Sequence, residues 1–274
     1  MATGALDTRV LYVDIDGTLV GPYGDLFLTG EHEFTSEAAD AIVEARRAGL
    51  ELVPLSGRNV QAMANLARLI GSPAWIAELG AVRSYDHGNE VIFDTGAYEG
   101  GRALIEVLRE AMHLLIAANP GRVEEHAPWN EHRETSLMVR GALDEASANA
   151  WLEDQGYEWA ECIDNGVLPR TYESMPDVDT VRVFHLNPRG VTKRSGVAAD
   201  LAHRGLTAAD CAVIGDSKAD LECAHVVGQA FIVANAIEKD PDLAPLVDAT
   251  PNAEVTQRGH GQGFADVVAR LIEG

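Results

Sequence analysis

The residues best suited to chemistry stand where apolar runs stop. Val10-Leu11-Tyr12-Val13 runs into Asp14-Ile15-Asp16-Gly17-Thr18. Two carboxylates two residues apart leave an extended chain on one face, with Ile15 turned the other way. Like charges that close repel, so the pair asks for a cation or for one carboxyl kept protonated. Oxygen donors of this kind suit Mg²⁺. A second run, Leu50 to Leu55, stops at Ser56-Gly57-Arg58, whose hydroxyl and backbone N–H groups can hold an anion beyond a strand end. Lys193 follows Gly190-Val191-Thr192 and is one of only three lysines, with Lys218 and Lys239, against 18 arginines. Its ammonium point charge suits a phosphoryl oxygen or a carboxylate. The fourth group, Val213-Ile214-Gly215-Asp216-Ser217-Lys218-Ala219-Asp220, repeats the strand-then-Asp pattern, and a following helix can return Asp220 to the same place. Each group alone also reads as a plain turn or a solvated helix start. Four of them in order, at the ends of strands in one sheet, are harder to read that way.

Such groups need a sheet to gather them. Arg9 to Val13 reads as a strand, Ser36 to Ala48 as a helix stopped by Gly49, Leu50 to Leu55 as a strand, Asn59 to Ile70 as a helix and Ala74 to Ala77 as a strand. The rhythm returns with a helix over Arg194 to His203, strand Cys211 to Ile214, helix Leu221 to Val227, strand Gln229 to Val233 and helix Phe264 to Ile272. Strands alternating with helices predict one parallel sheet covered on both faces, a doubly wound α/β core. The middle alternates more openly beside turn signals, with strands at Glu90 to Phe93, Ser136 to Arg140 and Thr180 to Leu186 and helices at Glu99 to Ala117 and Asp144 to Gln155. This predicts an inserted α+β domain over 84–186, between core segments 1–83 and 187–274.

Composition narrows the partners. Lysine plus arginine number 21 against 43 acidic residues, a formal charge of −22, so a nucleic-acid or anionic-membrane surface would work against the overall field. The longest early apolar stretch is too short for a signal peptide or a membrane span, which predicts a cytoplasmic protein. Cys162, Cys211 and Cys223 form no CxxC pair, and their odd number argues for buried thiols rather than a disulfide framework. Asp94-Thr95-Gly96 matches the aspartic-protease triplet, but that chemistry needs two copies and the chain has one. His126, Trp129, His132 and Arg133 form a polar-aromatic cluster with too few ligands for zinc. Gly259 to Gly263 lacks the lysine of a phosphate-binding loop and reads as a loop.

Taken together, Asp14-x-Asp16-Gly17-Thr18, Ser56-Gly57-Arg58, Lys193 and Gly215-Asp216-Ser217-x-x-Asp220 resemble the four motifs of the haloacid dehalogenase superfamily in its Mg²⁺-dependent phosphatase branch. An insertion between the second and third motifs resembles the C2B-type cap of the Cof-type, sucrose-phosphate and trehalose-phosphate phosphatases. Ile76 to Ala81 and Val233 to Ala236 resemble that family's ENGA and GNA segments. Leu79 and Ala219 depart from its pattern, each standing where asparagine is usual.

The resemblance implies that Asp14 is the nucleophile and forms an aspartyl phosphate, and that Asp16 is the general acid and base. It implies metal ligation by Asp14, the Asp16 carbonyl and Asp216, with Ser217 and Asp220 behind them. Ser56, Lys193 and the backbone at Gly17, Thr18 and Gly57 would hold phosphate. The cap would act as a lid, with Arg58, His126, Arg133 and Arg170 as possible substrate contacts beside Arg83, Trp129, His132 and Arg140. Arg133 leads into a cap strand in a way similar to the substrate segment of trehalose-phosphate phosphatases. The implied substrate is a small phosphate ester, most plausibly a sugar, polyol or glycerate phosphate. A phosphomutase of the phosphomannomutase type is the alternative, and a non-catalytic phospho-acceptor module a more distant one.

Overall fold

The computed structural model describes residues 8–168 and 170–273. The chain forms two compact units, one running to Gly57 with Met63–Val91 and everything from Thr192 on, the other comprising Arg58–Ala62 and Ile92–Val191. In chain order the elements are β1 (Val10–Val13), α1 (Glu37–Ala48), β2 (Glu51–Pro54), α2 (Val60–Ile70), β3 (Trp75–Ala77), β4 (Val82–Tyr85) and β5 (Glu90–Phe93). The inserted segment adds α3 (Leu104–Ala118), β6 (Val123–Glu125), β7 (Leu137–Gly141), α4 (Glu145–Asp154), β8 (Ala160–Val167) and β9 (Arg182–Pro188). The chain closes with α5 (Lys193–Arg204), β10 (Cys211–Gly215), α6 (Lys218–Leu221), β11 (Gln229–Ile232), α7 (Ala234–Lys239), α8 (Leu243–Asp248), β12 (Ala253–Val255) and α9 (His260–Glu273).

The first unit is built on a five-stranded sheet in the order β12-β11-β10-β1-β2, parallel at every pairing. β1 and β10 lie at its centre and are buried along their whole length. Burial on both faces explains why they read as unbroken apolar runs rather than as alternation. Register decides where they stop. Val13 stands opposite Pro54 on one side and Ile214 on the other, so Asp14, Ser56 and Asp216 all leave the same end of the sheet. β3, β4 and β5 form a small second sheet, joined to the strand end by a bridge from Ile76 to Leu55.

The second unit has a four-stranded antiparallel sheet, β6-β7-β9-β8. Its core gathers Leu108, Met112 and Leu115 of α3, Leu152 of α4, and Leu137, Val139, Cys162, Phe184 and Leu186 of the strands. Asn130 pins the loop before β7, accepting from Met138 N at 2.7 Å and donating to Met138 O at 2.8 Å. The inserted domain is expected over 84–186; the second unit takes in Ile92–Val191 with Arg58–Ala62, while β4 pairs with β3 and Tyr85 stacks on His203 of α5.

Several expected elements differ. The helix expected over Leu221 to Val227 is α6 followed by a tighter turn at Glu222–His225. Leu221, Cys223, Ala224 and Val227 are all buried along this stretch. The helix expected from Glu99 starts at Leu104, past Gly100 and Gly101, which favour the coil. The loop expected at 259–263 is instead the start of α9, where Gly261 lies against Ala38 and lets α1 and α9 approach. All three cysteines are buried with free thiols. Among the described residues no helix is long and apolar enough to cross a membrane.

Candidate active site

Three motifs meet in side-chain contact at the end of the parallel sheet. α5 starts with a capping box, Thr192 accepting from Ser195 N at 3.1 Å and Ser195 Oγ paired back to Thr192 N at 2.9 Å. This fixes the first turn and places Lys193 as its first helical residue. Its ammonium donates to Asp14 Oδ1 at 2.6 Å and to Asp220 Oδ1 at 2.8 Å. Both contacts are buried, with side-chain exposures of 6% for Lys193 and Asp14 and 0% for Asp220. The other Asp220 oxygen accepts from Ser217 Oγ at 2.5 Å. Gly215 is required here, since a Cβ on it would overlap the Asp220 carboxylate.

Asp216 completes the cluster. Asp14, Asp216 and Asp220 each offer a carboxylate oxygen, all within 4.8 Å of one another. Burial is the main reason the Asp14 carboxyl stands well above its ordinary range, and Asp220 and Asp216 add to it while Lys193 opposes. Burial likewise raises Asp216, with Lys239 pulling the other way from 3.2 Å. Burial works against the Lys193 charge, but Asp14 and Asp220 outweigh it and hold the ammonium protonated. Three carboxylates around one buried ammonium keep an excess of negative charge in a medium that screens poorly. An all-oxygen cluster with that excess is suited to a divalent cation, and these residues therefore fit one.

The remaining predicted residues divide. Ser56 is buried at the strand end, its N–H bonded to Ile76 O at 3.0 Å and its carbonyl accepting from Leu79 N at 3.2 Å. Thr18 is fully buried and its N–H donates to Ile15 O at 3.3 Å. Asp16 is exposed, outside the carboxylate cluster. The Gly17 carbonyl is held by Asn235 Nδ2 at 2.9 Å, and Asn235 in turn accepts from His260 N at 2.7 Å.

Arg58, His126, Arg133 and Arg170 belong to the second unit. There Arg133 is buried, donating from Nε to Trp129 O at 2.9 Å and from Nη1 to Ser136 Oγ at 2.7 Å. Burial lowers the His126 pKa to about 4, helped by the charges of Arg140, Arg133 and Arg170. Sequence reasoning missed Lys239 at Asp216 and the support that Asn235 gives Gly17. For Lys239 a signal existed in the scarcity of lysine, since two of the three lysines touch the acidic cluster.

Comparison with known proteins follows the same lines. A family model described as haloacid dehalogenase-like hydrolase matches residues 178–254, the stretch holding Lys193, Asp216 and Asp220. A phosphoglycolate phosphatase of Methanoculleus marisnigri is 25% identical over 264 residues, 96% of each chain. One from Natronomonas pharaonis is 28% identical over 261 residues, covering 95% of this chain and 96% of that one. Among solved structures, a Thermoplasma acidophilum protein superposes with a TM-score of 0.67 at 17% identity, covering 96% of this chain and 98% of its own. The sucrose-phosphatase of Synechocystis, solved with sucrose and phosphate, does so at 0.63 and 17% with the same coverage. At such identity these structures speak for the fold. The matched segment takes in the lysine and the last two aspartates of the cluster, and over that segment the chain is similar to haloacid dehalogenase-like hydrolases.

Proposed function

We propose that this chain is a Mg²⁺-dependent phosphomonoesterase that hydrolyses a small phosphorylated metabolite through an aspartyl phosphate on Asp14. The observation that carries the reading is the buried contact of Lys193 with both Asp14 and Asp220. Lys193 fixes Asp14 Oδ1, so attack on phosphorus falls to Oδ2. The P–O bond to the leaving group breaks as the Asp14–phosphorus bond forms, and Asp16 gives its proton to the departing alkoxide. Asp16, now a carboxylate, takes a proton from water, whose oxygen attacks the same phosphorus and returns Asp14 with release of inorganic phosphate. The exposure of Asp16 suits a group that must exchange a proton with both a leaving group and water.

Asp14, the Asp16 carbonyl and Asp216 would hold the Mg²⁺, with Asp220 and Ser217 supporting them. When bound, the cation neutralises charge on the transferring phosphoryl oxygens. Ser56 and Lys193 would hold those oxygens as they spread toward the transition state. The relatives named phosphoglycolate phosphatase align along nearly their whole length, which supports a compact substrate, the phosphate ester of a small hydroxy acid or sugar.

The test is phosphate release from a panel of hydroxy-acid phosphates, sugar phosphates and nucleotides, with and without Mg²⁺. The expected result is Mg²⁺-dependent release that Asp14→Asn lowers by roughly 10⁴-fold or more while the fold persists. Release that survives Asp14→Asn would overturn the nucleophile. Isomerisation of a sugar phosphate that needs a bisphosphate would move the reading to a mutase.

A further inference from the structure

One layer below the candidate site, β1 and α5 meet a second time. The Tyr12 hydroxyl donates to Asp200 Oδ2 at 2.5 Å. Arg204 reaches the same oxygen at 3.5 Å while pairing with Glu51 Oε2 at 2.6 Å. Tyr12 is fully buried and Asp200 is 1% exposed. A carboxylate taken that far from water costs stability unless it is hydrogen-bonded and paired, so its place under the sheet asks for a reason beyond packing.

The geometry supplies one. Tyr12 and Asp14 are two residues apart and project from one face of β1. Lys193 and Asp200 are seven apart, within about 20° of two full helical turns, and so share one face of α5. Asp14–Lys193 and Tyr12–Asp200 are therefore two rungs between the same strand face and the same helix face. The upper rung is demanding: a four-carbon stem on the first residue of a helix must bring its ammonium to two carboxylates at once, at 2.6 and 2.8 Å. Between the rungs the helix packs through Val197, which is fully buried, and apolar contact of that kind is non-directional. A short O–H···O bond is directional. Burial, followed by the Asp200 charge, pushes the Tyr12 phenol up, so it stays a donor.

We infer that Tyr12 and Asp200 are positioning residues for the phosphoryl-transfer site, setting the rotation and height of α5 so that Lys193 lands between Asp14 and Asp220. The inference rests on the proposed reaction only for its kinetic arm.

The chain's three lysines make a direct test possible. Protein labelled with ¹⁵N at the lysine Nζ gives three ammonium signals, of which that of Lys193, the buried one, is protected from exchange and is assigned by its loss in Lys193→Met. Tyr12→Phe and Asp200→Asn are each expected to shift or broaden that signal. Both should lower kcat roughly ten- to hundredfold, with KM within about twofold, well below the melting temperature of each variant. Val197→Ala, which loosens the same helix face without touching the rung, is expected to lower melting while leaving signal and kcat as they are. An unmoved Lys193 signal in folded Tyr12→Phe, or the same displacement in Val197→Ala, would overturn the inference. A wild type silent on every phosphate ester would count against the reaction alone, because the Lys193 signal is read without substrate.

Discussion

Lys193 makes the charge balance at the strand ends workable. Asp14 and Asp220 both point at it, and each loses much of its hydration to do so. A lone ammonium repays that cost only with short, direct contacts, which is what the 2.6 and 2.8 Å distances provide. Arginine, abundant elsewhere in the chain, would bring a wide planar fork where a point charge must sit between two carboxylates. Asp220 is accordingly a residue whose charge matters more than its volume. Asp220→Asn keeps the shape and the Ser217 contact but removes one negative charge from the cluster. Its Mg²⁺ affinity, measured by titration calorimetry, is expected to fall about 10- to 100-fold. An unchanged affinity would mean that Asp220 serves Lys193 alone.

Elements, rather than single residues, decide whether these groups meet. The first turn of α5 rests on the tight turn Glu78–Gly80, where three successive residues carry positive φ, 50°, 59° and 108°. Gly80 tolerates its angle because it lacks a Cβ, and a Cβ there would overlap the carbonyl of Thr192, the residue that caps α5. Leu79, which stands where a resembling family usually has asparagine, adopts a left-handed conformation that asparagine accepts more readily. That residue therefore carries strain at a place where the helix bearing Lys193 begins. Gly80→Ala is expected to destabilise the chain by about 1–3 kcal/mol, read as a lower urea midpoint at unchanged m-value. A wild-type midpoint would show that the turn relaxes away from Thr192.

At the scale of the whole molecule one buried histidine gives the second unit a readable response to acid. His126, in the second unit, has its pKa lowered to about 4 from 6.5, first by burial and then by the charges of Arg140, Arg133 and Arg170. Between those two values only the unfolded chain takes up the proton, so stability falls as pH drops from about 6.5 to about 4 and is level above that window. His126→Gln removes the proton and is expected to flatten this part of the acid limb, measured as the change in urea midpoint between pH 7 and pH 4.5. Identical slopes in the two proteins would show that His126 takes up its proton in the folded state as well. The formal charge of −22 acts more diffusely, and at physiological salt it is screened beyond about 8 Å.

Whatever a short stretch of chain dictates can be read without the fold. The apolar runs of β1 and β10 that end in aspartates and the threonine before Lys193 that opens a helix are local facts, and they are legible for that reason; the period of two does not carry past Val13, since Asp14 is buried with Ile15 while Asp16 is exposed. β6 and β8 are not legible locally because their strand character comes from their partners. β8 reads Ala-Glu-Cys-Ile-Asp-Asn-Gly-Val, with turn-forming residues at its centre, and it pairs with β9 across a register shift between Asp164 and Val167. Only the tertiary structure could decide that Lys193 divides itself between Asp14, 179 residues earlier, and Asp220, or that Tyr12 finds Asp200 across 188 residues. Pairings of that range are set by which faces are buried together, and the energy of a buried charge depends on neighbours that no local pattern names.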